Sequence, residues 1–562
     1  MQLRVAVLAL AHLIKLASTS SVRALDGFGN AVAWWSVLKL PTHVQFPNGT
    51  VLPTPCDCPV PDCTNVPTAG WSALNSRATG LCYLYADSKM PQFQHFRDLG
   101  YECIGQGGND PLSHTLKQNE KSSYWALFND QYNGIAATYD PHVFPNVRKS
   151  KHVCGGDDLF SAHAKGAVAF QNDGSGGYFL QTSTPNYPDP TRNDSFVKLG
   201  CQTDNNVEFA QHMVAMSLQD KELFELGNKL QLARLCSSNY YRDQSLRELL
   251  ASTHLLKDGR EQINTTAAAF YHALLDPNLP IQHPSDPMKF EFRLKLTNEF
   301  RKIKSFVFEP LGKFQKLLTC LSNEEEVRVL VKSPRAAVPP WALVAEMLDS
   351  DISVASWWDG SYGIPTICAG DIYSDTPLKF CLNNSATGVE LNGNGGAPYN
   401  IENLIQATWH MSDGNSNVTW KLLGGRVADG NHAKWGLTTP RSGHVNLANA
   451  YVIFGDLNME GFPCSKQCNG SQAGRGGTFF SFLQPKLHKS LAEAVISKAC
   501  SCSAELLRKS KRMMNETLQD PRLPAFEERR MCHRGCIKKI NDRLAPDQLP
   551  TLSKNASSYW SE

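Results

Sequence analysis

The chain has 562 residues, of which 42% are hydrophobic and 19% charged, and its formal net charge at pH 7 is +2. This length is too great for one ordinary core, and the composition excludes an intrinsically disordered chain. The small net charge excludes a strongly basic or acidic protein at pH 7, although protonation of the 16 histidines would make the surface cationic at acid pH. We therefore expect two domains or two fused halves, with an extension.

The N-terminus has the pattern of a secretory signal peptide. Arg4 precedes a mainly apolar run over residues 5–16, and Ala24 ends a cleavage site. The run is too short to span a bilayer, and no later segment is long and apolar enough. We predict a signal peptide over residues 1–24, with an ordinary N-terminal helix as the alternative.

The 17 cysteines and eight glycosylation sequons agree with secretion. In an oxidising compartment, closely spaced cysteines most simply form disulfides, while zinc is the alternative for the last two pairs. The spacing leaves the connectivity open, and the odd count leaves at least one thiol free or in an interchain bond. The close groups are Cys56, Cys58 and Cys63; Cys464 and Cys468; Cys500 and Cys502; Cys532 and Cys536. The sequons are at Asn48, Asn193, Asn264, Asn383, Asn417, Asn469, Asn515 and Asn555.

The first half of the chain is predicted to consist of strands, one long loop and a helix. The predicted strands cover residues 31–40, 81–85, 124–128, 163–170 and 178–183. The last two form a hairpin, because Asp173 and Gly174 lie in the turn between them. Residues 42–79 are predicted to be a loop stapled by disulfides, and residues 207–218 an amphipathic helix.

In the second half, we predict a helical stretch over residues 221–256, a strand region within 354–371, a short helix over 403–409 and a strand over 450–454. The composition changes near residue 490. Residues 491–518 and 525–544 are predicted to be helices, separated by two prolines.

The tail from Lys489 onward holds 14 basic and 9 acidic residues, a net charge of +5. Its basic run over residues 508–512 is typical of a solvated helix face. Contact with a nucleic acid or an anionic membrane is the alternative.

A tripeptide occurs twice, as His163-Ala164-Lys165 and as His432-Ala433-Lys434. On a strand, the histidine and the lysine of each copy would share a face. Imidazole supplies a nucleophile or a general acid, and lysine supplies a fixed charge for a phosphate oxygen.

An asparagine follows each tripeptide, Asn186 after 23 residues and Asn458 after 26. Similar order and spacing in both halves indicate a duplicated unit. Two such units meeting at a pseudo-twofold interface would form a metal-free phosphodiesterase site. The alternative is that the two copies lie on unrelated surface strands, each with a histidine and a lysine.

Several of these segments together resemble the deoxyribonuclease II family. The resemblance covers roughly residues 25–487, and the segments that carry it are 34–41, 129–131, 163–166, 176–179, 183–188, 429–435, 455–458 and 475–478. The insertion around residues 56–63 and the tail after residue 490 have no recognised counterpart. Gly436 stands where some relatives carry a cysteine.

The resemblance implies a mixed α/β (α+β) fold of two pseudo-symmetric phospholipase D-like halves, each a mixed central sheet flanked by helices. The sequence pattern after residue 490 adds a helical, cysteine-containing extension. The boundaries are 25–220, 221–489 and 490–562. The resemblance implies a lysosomal or secreted acid endonuclease that needs no cofactor or metal and leaves 3′-phosphate and 5′-hydroxyl ends on DNA. The implied site residues are His163, Lys165, Asn186, His432, Lys434 and Asn458.

The motifs predict a phosphohistidine intermediate, formed by one histidine while the other acts as general acid. The sequence does not assign which histidine attacks. We expect DNA binding with little sequence specificity, and a monomer with internal symmetry, a dimer being the alternative. Two other functions stay open: a phospholipase D-like lipid phosphodiesterase, and a non-catalytic secreted DNA-binding protein. Retention in lysosomes and export are not distinguished.

Overall fold

The structure is a computed structural model. It describes residues 22–46, 48–56, 58, 80–130, 162–185, 187–188, 199, 209–235, 265–274, 285–297, 325–336, 338–357, 366–369, 387–390, 397–410, 417–422, 424, 430–439, 447–459 and 474–499.

Strands dominate this part of the chain. They are β1 (Trp34–Lys39), β2 (His43–Gln45), β3 (Val51–Pro53), β4 (Tyr83–Asp87), β5 (Gln94–His95), β6 (Tyr124–Asn129), β7 (Lys165–Phe170), β8 (Gly177–Thr182), β9 (Gln211–Leu218), β10 (Lys289–Leu296), β11 (Glu325–Lys332), β12 (Asp351–Ala355), β13 (Ile401–His410), β14 (Asn417–Lys421), β15 (Trp435–Thr439), β16 (Tyr451–Gly455), β17 (Gly477–Leu483) and β18 (Val495–Ala499). The α-helices within the described ranges are α1 (Pro111–Lys117), α2 (Asp220–Leu230), α3 (Thr266–Leu274), α4 (Pro340–Leu348) and α5 (Pro485–Ala494). Short 3-10 turns cover Phe96–Leu99, Gln118–Lys121, Gln231–Ala233 and Leu447–Asn449.

The fold is mixed α+β, with one large sheet and a few helices. Within that sheet, one order of antiparallel pairing occurs twice. Strands β6, β7, β8, β9 and β1 are neighbours in that order. Strands β12, β15, β16, β17 and β11 repeat the order. Strand β10 joins the two series, because it pairs with β9 on one side and β11 on the other.

The central strands of both series are buried on both faces, which explains their nearly continuous apolar sequences. Helix α2 follows β9 and helix α5 follows β17 along the chain. Helix α2 buries Leu223, Leu226 and Leu230, a spacing that places all three on one face. One large apolar cluster contains residues of both series, and a second lies around Trp341 of α4. Among the described helices, none is long and apolar enough to cross a membrane.

Most strand predictions are confirmed. Strands β1, β6, β8 and β16 lie where the sequence predicts them, and β7 and β8 form the predicted hairpin. Strands β4 and β7 begin two residues later than predicted, and β12 overlaps the predicted 354–371 region only at residues 354–355. Helix α2 confirms the beginning of the predicted helical stretch over 221–256, whereas residues 236–256 lie outside the described ranges.

The prediction of a helix over residues 207–218 is wrong. Gln211–Leu218 is strand β9, and every residue of it is buried. The strand pairs with β1 on one side and β8 on the other, so both its edges and both its faces are covered. A strand buried in this way needs no alternation of polar residues, and tertiary pairing overrides the helical period.

Two further helix predictions are wrong. Residues 403–409 belong to strand β13, which pairs with β12, β14 and β18. Within the predicted helix over 491–518, helix α5 ends at Ala494 and strand β18 follows. In both segments, pairing partners distant in the sequence determine the conformation. Residues 500–562, with the second predicted tail helix, lie outside the described ranges.

Two disulfides in the described part of the chain join the predicted loop region to the sheet and the segment after it. Cys56 pairs with Cys82, and Cys58 pairs with Cys103. The predicted disulfide interpretation is thus confirmed for Cys56 and Cys58. Cys63 and the cysteine pairs at 464–468, 500–502 and 532–536 lie outside the described residues, as does most of the predicted 42–79 loop. In the described part of that segment, β2 and β3 pair with each other, so the loop prediction is wrong for these residues.

Candidate active site

Both tripeptides lie where a strand begins. His163 precedes β7, whose first residue is Lys165, and both His432 and Lys434 precede β15. The expectation that each histidine and lysine sit together inside a strand is therefore wrong. Instead of a ladder partner, the main-chain N–H of His163 donates to Gly476 O at 3.0 Å. That of His432 donates to Ala210 O at 2.8 Å. The main chain of each histidine is thus hydrogen-bonded to the residue that directly precedes a strand of the other series.

The ring of His163 has a defined orientation. Its Nδ1 atom lies 2.9 Å from the main-chain oxygen of Asp456. A carbonyl oxygen only accepts, so Nδ1 carries the proton and Nε2 holds the lone pair of the neutral ring. Burial lowers the pKa of His163 well below its usual value, and the charge of Lys165 acts in the same direction. The carboxylate of Asp130 offsets part of this shift. This shift favours the neutral form of His163.

Lys165 belongs to a buried charge cluster. Its Nζ atom lies 2.6 Å from one carboxylate oxygen of Asp130, and the guanidinium of Arg475 lies 2.7 Å from the other. The Asp130 and Lys165 side chains are both buried, whereas Arg475 is 19% exposed. Burial raises the pKa of Asp130, but the charges of Lys165 and Arg475 outweigh it and hold that pKa well below the usual range. The cluster thus carries two cations and one anion beside His163.

His432 lies between two aromatic rings. Phe209 stacks on it with a centroid distance of 4.3 Å, and Trp357 stacks on it at 4.6 Å. Aromatic faces attract cations, so this environment suits the protonated imidazole that a general acid must be. Lys434 lies close by, and its Nζ donates to His432 O at 2.7 Å. The two histidines therefore have different surroundings, one polar and one aromatic.

The buried carboxylate of Asp456 fixes the segment that orients His163. Its oxygens accept from Gln181 Nε2 at 2.9 Å and from Thr478 through both its N–H and its hydroxyl. Burial raises the pKa of Asp456 to about 6, and the hydrogen bonds from Thr478 offset only part of that effect. Gln181 lies in β8 of one series and Asp456 directly follows β16 of the other, so this contact joins the two series at the site.

A third buried histidine lies at the same junction. The Nδ1 atom of His212 accepts from the main-chain N–H of Lys434 at 3.0 Å, so Nε2 carries its proton. Burial lowers the pKa of His212 well below its usual value, and the charges of Lys434 and Lys165 lower it further. Lys434 also acts on His163. The lysines of both tripeptides therefore lie within electrostatic reach of the same histidines.

Of the two predicted asparagines, only Asn458 lies in the described part of the chain. It is buried, and its side-chain oxygen accepts from the main-chain N–H of Trp357 at 3.3 Å. This contact joins Asn458 to the main chain of the residue whose ring stacks on His432. Asn186 is outside the described residues, although Tyr187 beside it receives a hydrogen bond from Asn129 through its main-chain oxygen.

Sequence reasoning did not select several residues that surround the predicted ones. They are Asp130, Gln181, Phe209, His212, Trp357, Asp456, Arg475 and Thr478. Asp130, Asp456, Arg475 and Thr478 stand in segments that carry the family resemblance, which was the available signal. Phe209 and His212 lie within the 207–218 segment that was wrongly predicted to be a helix, so no pattern pointed to them.

Among the described residues, the one group with the spacing of a metal site consists of Cys56, Cys58 and Cys82. All three are in disulfides, so their sulfur atoms are not available as thiolate ligands.

A known protein family matches this part of the chain. The family described as Deoxyribonuclease II matches residues 66–500, a range that contains both tripeptides and every site residue named above. No curated protein matches the chain significantly. The match spans most of the chain, which therefore belongs to the deoxyribonuclease II family and is a hydrolase that cleaves DNA.

Proposed function

We propose that this protein is a metal-independent acid endonuclease that hydrolyses DNA phosphodiesters through a phosphohistidine intermediate. The observation that carries the proposal is the different setting of the two motif histidines. In the His163 ring, Nδ1 carries the proton and Nε2 has a lone pair, whereas the His432 ring lies between aromatic faces. One group is suited to attack and the other to donate a proton.

In the first step, Nε2 of His163 attacks the phosphorus atom and the bond from phosphorus to the 5′ oxygen breaks. Protonated His432 gives its proton to that oxygen, which leaves as a 5′-hydroxyl. The DNA stays attached to His163 through its 3′-phosphoryl group. Burial lowers the pKa of His163 and so favours the neutral form that a nucleophile needs, whereas an ordinary imidazole is readily protonated at acid pH.

In the second step, His432 is neutral and takes a proton from water as the water attacks phosphorus. The bond between phosphorus and Nε2 breaks, and a 3′-phosphate is released. Both protonation states are restored, so a single pair of histidines completes the cycle.

The proposed role of the lysines is to stabilise negative charge on the non-bridging oxygens, with Asn186 and Asn458 as further donors. Asp130 neutralises part of the charge of Lys165 before substrate binds. Arg475 shares that carboxylate and is partly exposed, so it adds a cation at the solvent side. These charges would do electrostatic work that metal ions do in other nucleases.

We further propose that the chain consists of two pseudo-symmetric, phospholipase D-like halves, residues 25–220 and 221–489, followed by an extension over 490–562. The repeated order of strand pairing supports this division. So do the reciprocal contacts, in which each histidine N–H donates to the other half. A chain built in this way completes its site as a monomer.

We also propose a secreted or lysosomal location, because the sequence has a signal-peptide pattern, many cysteines and eight sequons. An acidic compartment fits the acid chemistry. The cations of the site would contact phosphate rather than base edges, so we expect little sequence specificity and strong salt dependence.

The proposal is tested by plasmid cleavage at about pH 5 in excess EDTA, below the reference pKa of histidine. Wild type is compared with His163→Ala and His432→Ala, and the ends are analysed chemically. We expect cleavage by wild type alone, with 3′-phosphate ends. Loss of wild-type activity in EDTA would overturn metal independence, and 5′-phosphate ends would overturn the mechanism. Release of headgroup from a phospholipid without DNA cleavage would favour the lipid alternative.

A further inference from the structure

Two buried lysines that are not in the tripeptides occupy matching places in the two series of strands. Lys39 ends β1 and Lys332 ends β11, and each stands two residues before a proline. Their strand partners also match, because Lys39 is opposite Gln211 at the start of β9 and Lys332 is opposite Gly477 at the start of β17. Both side chains are almost completely buried.

The two ammonium groups make matching hydrogen bonds. Lys39 Nζ donates to Leu40 O at 3.2 Å, Gly80 O at 2.9 Å and Phe209 O at 2.6 Å. Lys332 Nζ donates to Ser333 O at 3.1 Å and to Arg475 O at 2.7 Å. Each lysine therefore contacts the carbonyl of the next residue and that of a residue just before the opposite strand.

The carbonyls that receive these bonds belong to the segments that hold the histidines. Phe209 stacks on His432, and the following residue, Ala210, accepts the N–H of His432. Arg475 binds Asp130, and the following residue, Gly476, accepts the N–H of His163. Lys39 thus supports the backbone segment that binds His432, and Lys332 supports the backbone segment that binds His163.

Burying an ammonium group is costly, and an apolar residue of similar length would often stabilise a fold as well or better. Burial lowers the pKa of Lys332 to about 7, which reflects that cost. Two such groups at matching positions beside the site indicate a role that a methionine would not fulfil.

We propose that Lys39 and Lys332 are positioning residues, each of which holds the backbone segment that binds one site histidine. Lys39 holds the segment that binds His432, and Lys332 holds the segment that binds His163. The inference rests on the proposed function. Since the two histidines have different tasks, the two lysines should affect different parts of the reaction.

Two measurements separate these tasks. The first is the single-turnover rate on DNA, which needs both the nucleophile and the general acid. The second is the initial burst of nitrophenolate from bis(p-nitrophenyl) phosphate, whose weakly basic leaving group needs little help from an acid. Lys39→Met and Lys332→Met are compared with wild type at about pH 5. Arg328→Met is the matched control, because Arg328 lies on the same strand as Lys332 and also donates to a main-chain carbonyl, that of Met347.

For Lys39→Met we expect the DNA rate to fall about tenfold or more, with the burst rate within about threefold of wild type. For Lys332→Met we expect both rates to fall about tenfold or more. Arg328→Met should leave both rates near those of wild type. Unchanged DNA rates in both lysine variants, or an equal loss of both rates in both variants, would overturn the inference.

Folding is checked by thermal unfolding of each variant. If a methionine variant does not fold, the glutamine variant at the same position, which keeps one donor, replaces it and should show the same pattern. If neither variant of a lysine folds, that lysine is required for folding, which also overturns the inference. A wild-type protein that does not cleave DNA would instead overturn the proposed function.

Discussion

The Nδ1 atom of His163 lies 2.9 Å from the main-chain oxygen of Asp456, 293 residues further along the chain. This contact fixes which ring nitrogen of His163 carries the proton. It also joins the first tripeptide to the strand end that follows the second one. The chemistry of the first motif therefore depends on the folding of the second half of the chain.

The Asp130 carboxylate should contribute strongly to stability. We expect Asp130→Asn to lower the free energy of unfolding by about 3 kcal/mol, because it leaves buried Lys165 without its anion. Urea unfolding at about pH 5, above the ordinary pKa of aspartate, measures the change. Glu326→Gln is the control, since it breaks the exposed Arg293–Glu326 pair and should cost less than about 1 kcal/mol. Equal effects of the two substitutions would contradict this description of the cluster.

Asp456 should make the protein more stable at acid pH. Its pKa is about 6 in the folded protein against 3.8 for the ordinary group, so its contribution is complete below pH 3.8 and is lost as the pH rises to about 6. We expect the stability of wild type relative to Asp456→Asn to decrease by up to about 3 kcal/mol between pH 4 and pH 6.5. Thermal or urea unfolding of both proteins at several pH values measures it. A difference that is constant with pH would show that Asp456 keeps an ordinary pKa.

The stack of Trp357 on His432 should affect the step that needs an acid. We expect Trp357→Leu to slow DNA cleavage about fivefold or more, since a cation on an aromatic face is worth about 1 kcal/mol or more. The nitrophenolate burst should change little. Trp409→Leu, a substitution of a partly buried tryptophan in β13, is the control and should retain both rates. A loss in the burst as large as that on DNA would argue against an acid role for His432.

The N-terminal end of the processed chain can be predicted more closely from the structure than from the sequence. The predicted cleavage after Ala24 would remove Val22 and Ala24, which are both buried, and with Ala24 the N–H that donates to Ser217 Oγ at 2.9 Å. We expect the mature chain to begin at Val22 or before it. N-terminal sequencing of secreted protein would decide the point, and a first residue of Leu25 would contradict this expectation.

The sequence predicted the motif residues and most central strands because these depend on local pattern. Periodicity identified β1, β6 and β16, and the turn at Asp173 and Gly174 identified the hairpin. Periodicity failed at β9 and β13, which are bordered by strands distant in sequence, so their conformation is set by pairing.

The residues that surround the site were not predicted, for the same reason. Asp130 meets Arg475, and Phe209 meets His432, across separations that no local pattern encodes. In the sequence, the two histidines stand in identical tripeptides and have equal status. Only the three-dimensional contacts distinguish the ring that is held by a carbonyl from the ring that is held by two aromatic residues.

The most direct test of the account is to trap the covalent intermediate on His163. DNA with a sulfur atom in place of the scissile 5′ oxygen has a leaving group that needs no proton, so His432→Ala should complete the first step and then stall. We predict a covalent DNA adduct on His163, located by peptide mass analysis, that is absent in His163→Ala. An adduct on another residue, or sulfur release with no adduct at all, would contradict the proposed mechanism.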